Sequence, residues 1–176
     1  MKQLSGCSVV ILAIVFAAAT TGCGPALHPF FTSSDLYEDP ALEGRWTNGE
    51  DTWEFHRTGD GRYSITECSP ECKDSVSAAM FRIDGQVFLD IQEPKNGFSS
   101  AILPHGVIRL RIKADQVEVA SIDEKALRVL SHVLIDNDRM LVTASTARLQ
   151  QFLSRHAGDP QVWNDSETYR RATDLP

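Results

Sequence analysis

The chain has 176 residues, 42% hydrophobic and 8% aromatic, with 17 Lys and Arg against 24 Asp and Glu for a net charge of −7. That is the composition of one folded domain, and it excludes collagen, long disordered tails and polytopic membrane proteins. The acidic balance also argues against nucleic acid as a partner, because neutralising phosphates takes a clustered excess of Lys and Arg.

The first element is an export signal. Lys2 precedes the uncharged run Val9 to Ala19, whose eleven residues are too few to cross a hydrocarbon core of about 30 Å but match the apolar region of a signal peptide. Thr20-Thr21-Gly22-Cys23 then resembles the lipobox of bacterial lipoproteins, with Thr20 where that motif has Leu. Leu4-Ser5-Gly6-Cys7 matches the string better but precedes the apolar run, which leaves no apolar region to engage the export machinery. The resemblance implies a signal peptide over residues 1–22 and diacylation of Cys23. By the sorting rule of such lipoproteins, Gly24 rather than Asp in the next position implies the outer membrane. The alternative is ordinary cleavage after Ala17-Ala18-Ala19, giving a soluble periplasmic or secreted protein.

Removing residues 1–22 discards Cys7, lipidation uses Cys23, and Cys68 and Cys72 remain as a pair. In an oxidising compartment that pair is expected as a disulfide rather than a metal site. Pro70 and the flanking strand patterns place it at a turn. A redox-active motif normally spaces its thiols by two at a helix N-terminus, which this pair does not.

Residues 24–40 carry three Pro and little periodicity, the pattern of a tether, although Phe30, Phe31, Leu36 and Tyr37 place its second half on the domain surface. The globular domain is expected over residues 41–176. From Leu42 the pattern has period two, and three short strands in a meander account for it, with Trp46, Trp53, Phe55, Tyr63 and Ile65 at apolar positions. Ala78 to Ile83 and Gln86 to Ile91 flank Asp84-Gly85, a type I′ hairpin signal, and both faces of this hairpin are apolar. In the hairpin from Gly106 to Ile122, pairing Ile112 with Val117 sets Leu110 opposite Val119 and Arg111 opposite Glu118. Asp123 then caps a helix through Leu127, Leu130 and Leu134, and a turn at Asp136-Asn137-Asp138 leads to a strand from Met140 to Ala144. A second helix, Thr146 to His156 capped by Ser145, presents Leu149, Phe152 and Leu153 and stops at Gly158 and Pro160. A last turn carries Trp163.

Eight strand candidates with late helices predict a mainly β domain, an antiparallel sheet closed into a small barrel or strongly curled. Leu42-Glu43-Gly44-Arg45-Trp46 resembles the Gly-x-Trp signature of lipocalins. That resemblance implies an eight-stranded barrel plugged at one end by Trp46, with Arg148 as candidate for the family's closing Arg. The run from Leu141 to Leu153 also resembles a set of uncharacterised bacterial lipoproteins, a likeness that implies no chemistry.

Glu54 and His56 share one strand face, but Trp53 and Phe55 claim the core side, so the pair is expected on a solvated face. His28, His105, His132 and His156 lack metal-ligand spacing. Arg109, Arg111 and Lys113 form a basic stripe in which Arg111 already faces Glu118. No nucleophile elbow, Walker loop or strand-linked Gly-x-Gly-x-x-Gly is present. The expectation is therefore no enzyme, no catalytic residue, no metal and no cofactor. The leading reading is a membrane-tethered binding module whose barrel, lined by Trp46, Phe55, Ile65, Leu110 and Val119, holds a small apolar ligand or a partner segment. The alternative is a structural or assembly lipoprotein of the envelope with a filled core.

Overall fold

A computed structural model describes residues 25–68, 71–73, 75–92, 103–130, 133–136, 139–164 and 166–172. The export signal, Cys23, Gly24 and the Asn137-Asp138 turn lie outside the described residues. Seven strands run as a meander: β1 (Gly44–Thr47), β2 (Thr52–Gly59), β3 (Arg62–Cys68), β4 (Val76–Ile83), β5 (Gln86–Gln92), β6 (His105–Lys113) and β7 (Gln116–Ser121). There follow α1 (Glu124–Leu127), β8 (Val133–Asp136), β9 (Arg139–Val142), α2 (Thr146–His156) and β10 (Glu167–Arg171). All pairings in the meander are antiparallel, and β10 enters between β7 and β1 to close an eight-stranded barrel. Closure removes the two free edges that an open sheet would present.

The hairpins carry the register that the sequence dictates. Leu110 faces Val119, Arg111 faces Glu118 and Ile112 faces Val117 across a two-residue turn at Ala114-Asp115. Asp84 and Gly85 both take positive φ (48° and 78°), as a type I′ turn demands, and Phe81 pairs with Phe88 while Met80 pairs with Leu89. The two faces of that hairpin serve two separate cores. Met80 and Leu89 point into the barrel with Trp46, Phe55, Tyr63 and Leu110. Phe81 and Phe88 lie outside, under a second layer that includes Leu149, Phe152 and Leu153 of α2 together with Trp163. Phe81 and Phe88 stack at 5.4 Å, and Trp163 meets Phe88 at 5.7 Å.

Three expectations are corrected. The helix drawn through Leu127, Leu130 and Leu134 is a single turn, α1, capped by Asp123 accepting from the Lys125 N–H at 2.8 Å. The β-branched residues Val133 and Ile135 belong to β8, whose backbone pairs with β9, so the leucine spacing was coincidental. The strand near Met140 is β9, which joins β8 in a separate two-stranded sheet rather than the barrel. The closing strand, β10, went unread because Glu-Thr-Tyr-Arg-Arg holds one apolar residue and hence no alternation.

The segment expected as a tether is bound to the domain from Pro25 onward. Ala26 exchanges backbone hydrogen bonds with His105 at 2.8 Å in both directions, while Leu27 N–H donates to Val142 and Val142 N–H donates to Pro25. This strap therefore lies between β6 and β9. It continues over the outer wall, buries Phe30, and reaches β4, where Tyr37 N–H donates to the Met80 carbonyl. Its prolines are tolerated because their missing N–H is not called on: Pro25 joins the pairing only through its carbonyl, and Pro40 opens the single 3-10 turn Pro40–Leu42.

Candidate functional site: a cleft between the strap and the outer wall

The five residues expected to line a ligand cavity all face the barrel interior, but as packing. Trp46, Phe55, Ile65 and Leu110 are buried within one cluster, and Val119 is half-buried against it. The Trp46 indole donates its Nε1–H to the Leu42 carbonyl at 2.8 Å. The cation covering it is Arg171 of β10, 4.3 Å from the ring, which also donates to the carbonyls of Glu43 and Ala41. Arg148, the candidate for that role, sits on α2. Gly44 is required here by its φ of +116°, a conformation that side-chain-bearing residues rarely adopt, and it lets the Arg171 guanidinium approach the backbone. Cys68 and Cys72 are bridged at the end of β3.

A concave site lies elsewhere, on the outside of the barrel. It measures about 280 Å³ and lies between the strap, which contributes Pro29 and Phe31, and the outward positions of β3 to β6. The pairings of β4, β5 and β6 set Ser77, Gln92 and His105 in one cross-strand row and Ala79, Asp90 and Val107 in the next. Arg62, paired with Ala79, stands at the side of the same wall. Strand alternation thus delivers a hydroxyl, an amide, an imidazole, a carboxylate and a guanidinium to one patch.

Asp90 is the floor of that patch. Its Oδ2 accepts the Phe30 N–H at 2.8 Å and its Oδ1 lies 2.6 Å from His105 Nδ1. With Nδ1–H donating to the carboxylate, His105 Nε2 is left as an acceptor, and Gln92 donates its Nε2–H to it across 3.3 Å. The carboxylate thereby fixes both the imidazole orientation and the position of the strap.

The other charged candidates resolve as paired surface groups. His56 meets Glu54 at 3.2 Å on an exposed face. Lys113 and Arg111 both reach Glu118, at 2.6 and 3.6 Å, and the Lys113 hydrogen bond holds the Glu118 carboxyl below its ordinary range. Arg109 departs from that stripe: it stacks 4.9 Å over Trp163 and donates to the Ala157 carbonyl, and burial lowers its pKa. His156 faces Asp159 at 3.5 Å. Among the described residues no group of three or more His, Cys, Asp or Glu is placed to hold a metal, and no helix is long and apolar enough to cross a membrane.

Sequence reading passed over Asp90 and considered His105 only as an isolated histidine. One signal was present. Asp90 is the charged residue within Val87-Phe88-Leu89-Asp90-Ile91, on a hairpin apolar on both faces, so it had to be buried and partnered. Comparison with protein-family models, with curated proteins and with solved structures gives no match.

Proposed function

We propose that the protein is a membrane-tethered, non-enzymatic binding module of the bacterial envelope, in which the barrel is a packed scaffold and the outer cleft is the recognition surface. The observation that carries the reading is the fully buried Asp90 held against the half-buried His105 beneath the strap, at the floor of the cleft. A scaffold alone is served as well by an apolar pair, since burying a carboxylate and imidazole costs desolvation that their attraction only partly returns. Attachment rests on the lipobox-like segment before Cys23. Only Gly24 separates that residue from Pro25, whose carbonyl accepts from Val142, so a lipid on Cys23 would hold the domain within about 10 Å of the bilayer surface. The outer membrane follows from the same sorting rule.

Two measurements test this. Cys23→Ser should abolish incorporation of labelled palmitate and move the protein out of the membrane fraction. Native mass spectrometry of the full chain extracted from its host in detergent should show a retained small molecule, lost when Ala79→Phe fills the cleft. The packed interior favours a second reading, a structural or assembly lipoprotein. A chain that carries no retained molecule and crosslinks to another envelope protein through this face would select it.

A further inference from the structure

We infer that the outer cleft takes a small organic acid, a single carboxylate on a compact apolar body. This rests on the reading of the cleft as the recognition surface and adds the ligand chemistry. Arg62 is exposed at the cleft, its guanidinium 5.9 Å over the Phe31 ring, and among the described residues no carboxylate pairs with it. Arg57, on the neighbouring strand, shows the alternative: it is held by Glu38 and Glu43. Among the described residues the one carboxylate lining the cleft, Asp90, has one oxygen engaged by the Phe30 N–H and the other by His105, and is turned away from solvent. What the cleft offers outward is donor-rich: the guanidinium fork, the second N–H of the Gln92 amide and the Ser77 hydroxyl.

A planar guanidinium matches a planar carboxylate with two parallel hydrogen bonds, which favours this class over a point anion. A dianion fits less well, because one cation must then balance two charges beside the Asp90 carboxylate. Phe31, Pro29 and Ala79 supply the apolar wall for the rest of the molecule. At about 280 Å³ the space lies just below the range of about 300–1,000 Å³ usual for ligand sites, so the body is compact rather than a long acyl chain.

The test uses the full chain in detergent micelles with labelled histidine, following the His105 ring resonances by NMR, assigned by their loss in His105→Gln. The probes are benzoate, the isosteric neutral benzamide, the cationic benzylamine and inorganic phosphate. Benzoate should shift His105 saturably below about 1 mM, with benzamide at least tenfold weaker and the other two inert. Arg62→Gln should weaken benzoate at least tenfold, and Arg62→Lys, which keeps the charge without the fork, by less. Benzamide binding as well as benzoate, with Arg62→Gln neutral, overturns the organic-acid assignment and leaves the cleft as a binding site. Phosphate binding as tightly as benzoate through Arg62 overturns the carboxylate preference. No response of His105 to any of the four probes overturns both the assignment and the recognition role of the cleft.

Discussion

Asp90 is the only polar or charged side chain fully buried among the described residues, at 1% exposure, and its two hydrogen bonds join three segments of chain. Asp90→Ala leaves the Phe30 N–H and His105 Nδ1–H without their acceptor, and each donor left unsatisfied costs about 1–3 kcal/mol. Chemical denaturation followed by Trp fluorescence should show that loss. Asp90→Asn, which keeps one carbonyl oxygen, should show a smaller one. Tyr169 illustrates a different buried group. Burial pushes its phenol well above the ordinary value near 10, aided by Glu167, which accepts the hydroxyl hydrogen at 2.8 Å. The folded state therefore keeps a proton that the unfolded chain releases, so stability falls as pH rises past about 10. Tyr63, raised for the same first reason, adds to the slope. Tyr169→Phe should lower stability at neutral pH by about 1 kcal/mol through the lost hydrogen bond, yet flatten the alkaline decline in urea midpoints. An unchanged slope would show that Tyr169 titrates normally.

At the scale of elements, the β2–β3 turn is tied to its neighbours through Gly61. Its carbonyl accepts from Met80 N–H at 2.7 Å, and at φ +71° a Cβ would meet the Tyr37 carbonyl oxygen at 2.9 Å and that of Met80 at 3.2 Å. Gly61→Ala combines left-handed strain with contacts to backbone that cannot swing aside. It should cost about 2–3 kcal/mol in thermal or chemical unfolding, whereas Gly59→Ala, where a Cβ meets nothing within 4 Å, should cost only the strain. Elements whose information is local were legible in the sequence. The β6–β7 register followed from two apolar pairs and one charge pair, and α2 from the spacing of Leu149, Phe152 and Leu153 between Ser145 and Gly158. Elements defined by distant partners were not. β10 is a strand because β1 and β7 both lack a neighbour, and β8 is a strand because β9 faces it. The cleft escaped for the same reason. Arg62, Asp90 and His105 meet through three hairpin registers and a strap, none of which a short motif records. The residues of the expected cavity were correctly read as apolar and inward, but whether an eight-stranded interior is open or filled depends on the summed volume of its side chains.

The whole molecule is two cores back to back across one sheet, with the outer one shared by α2, β9 and the strap. Its integrity depends on β10, whose Tyr169 is buried in the inner core. A chain ending at Ser166 should lose monodispersity on size exclusion and unfold without a cooperative transition; a monomeric truncation with a sharp transition would contradict this. Closure also has a timetable. Thr47 pairs with Arg170, residues more than a hundred positions apart, so the last seam joins the first and last strands of the barrel. A chain made at about 5–20 residues per second has β1 free on the order of ten seconds before β10 exists. For that interval β1, and from its own synthesis β7, presents an unpaired edge, and long-range pairing of this kind is intrinsically slow once its partner arrives. Until β10 docks, the sheet therefore carries two open strand edges through which one chain can pair with another.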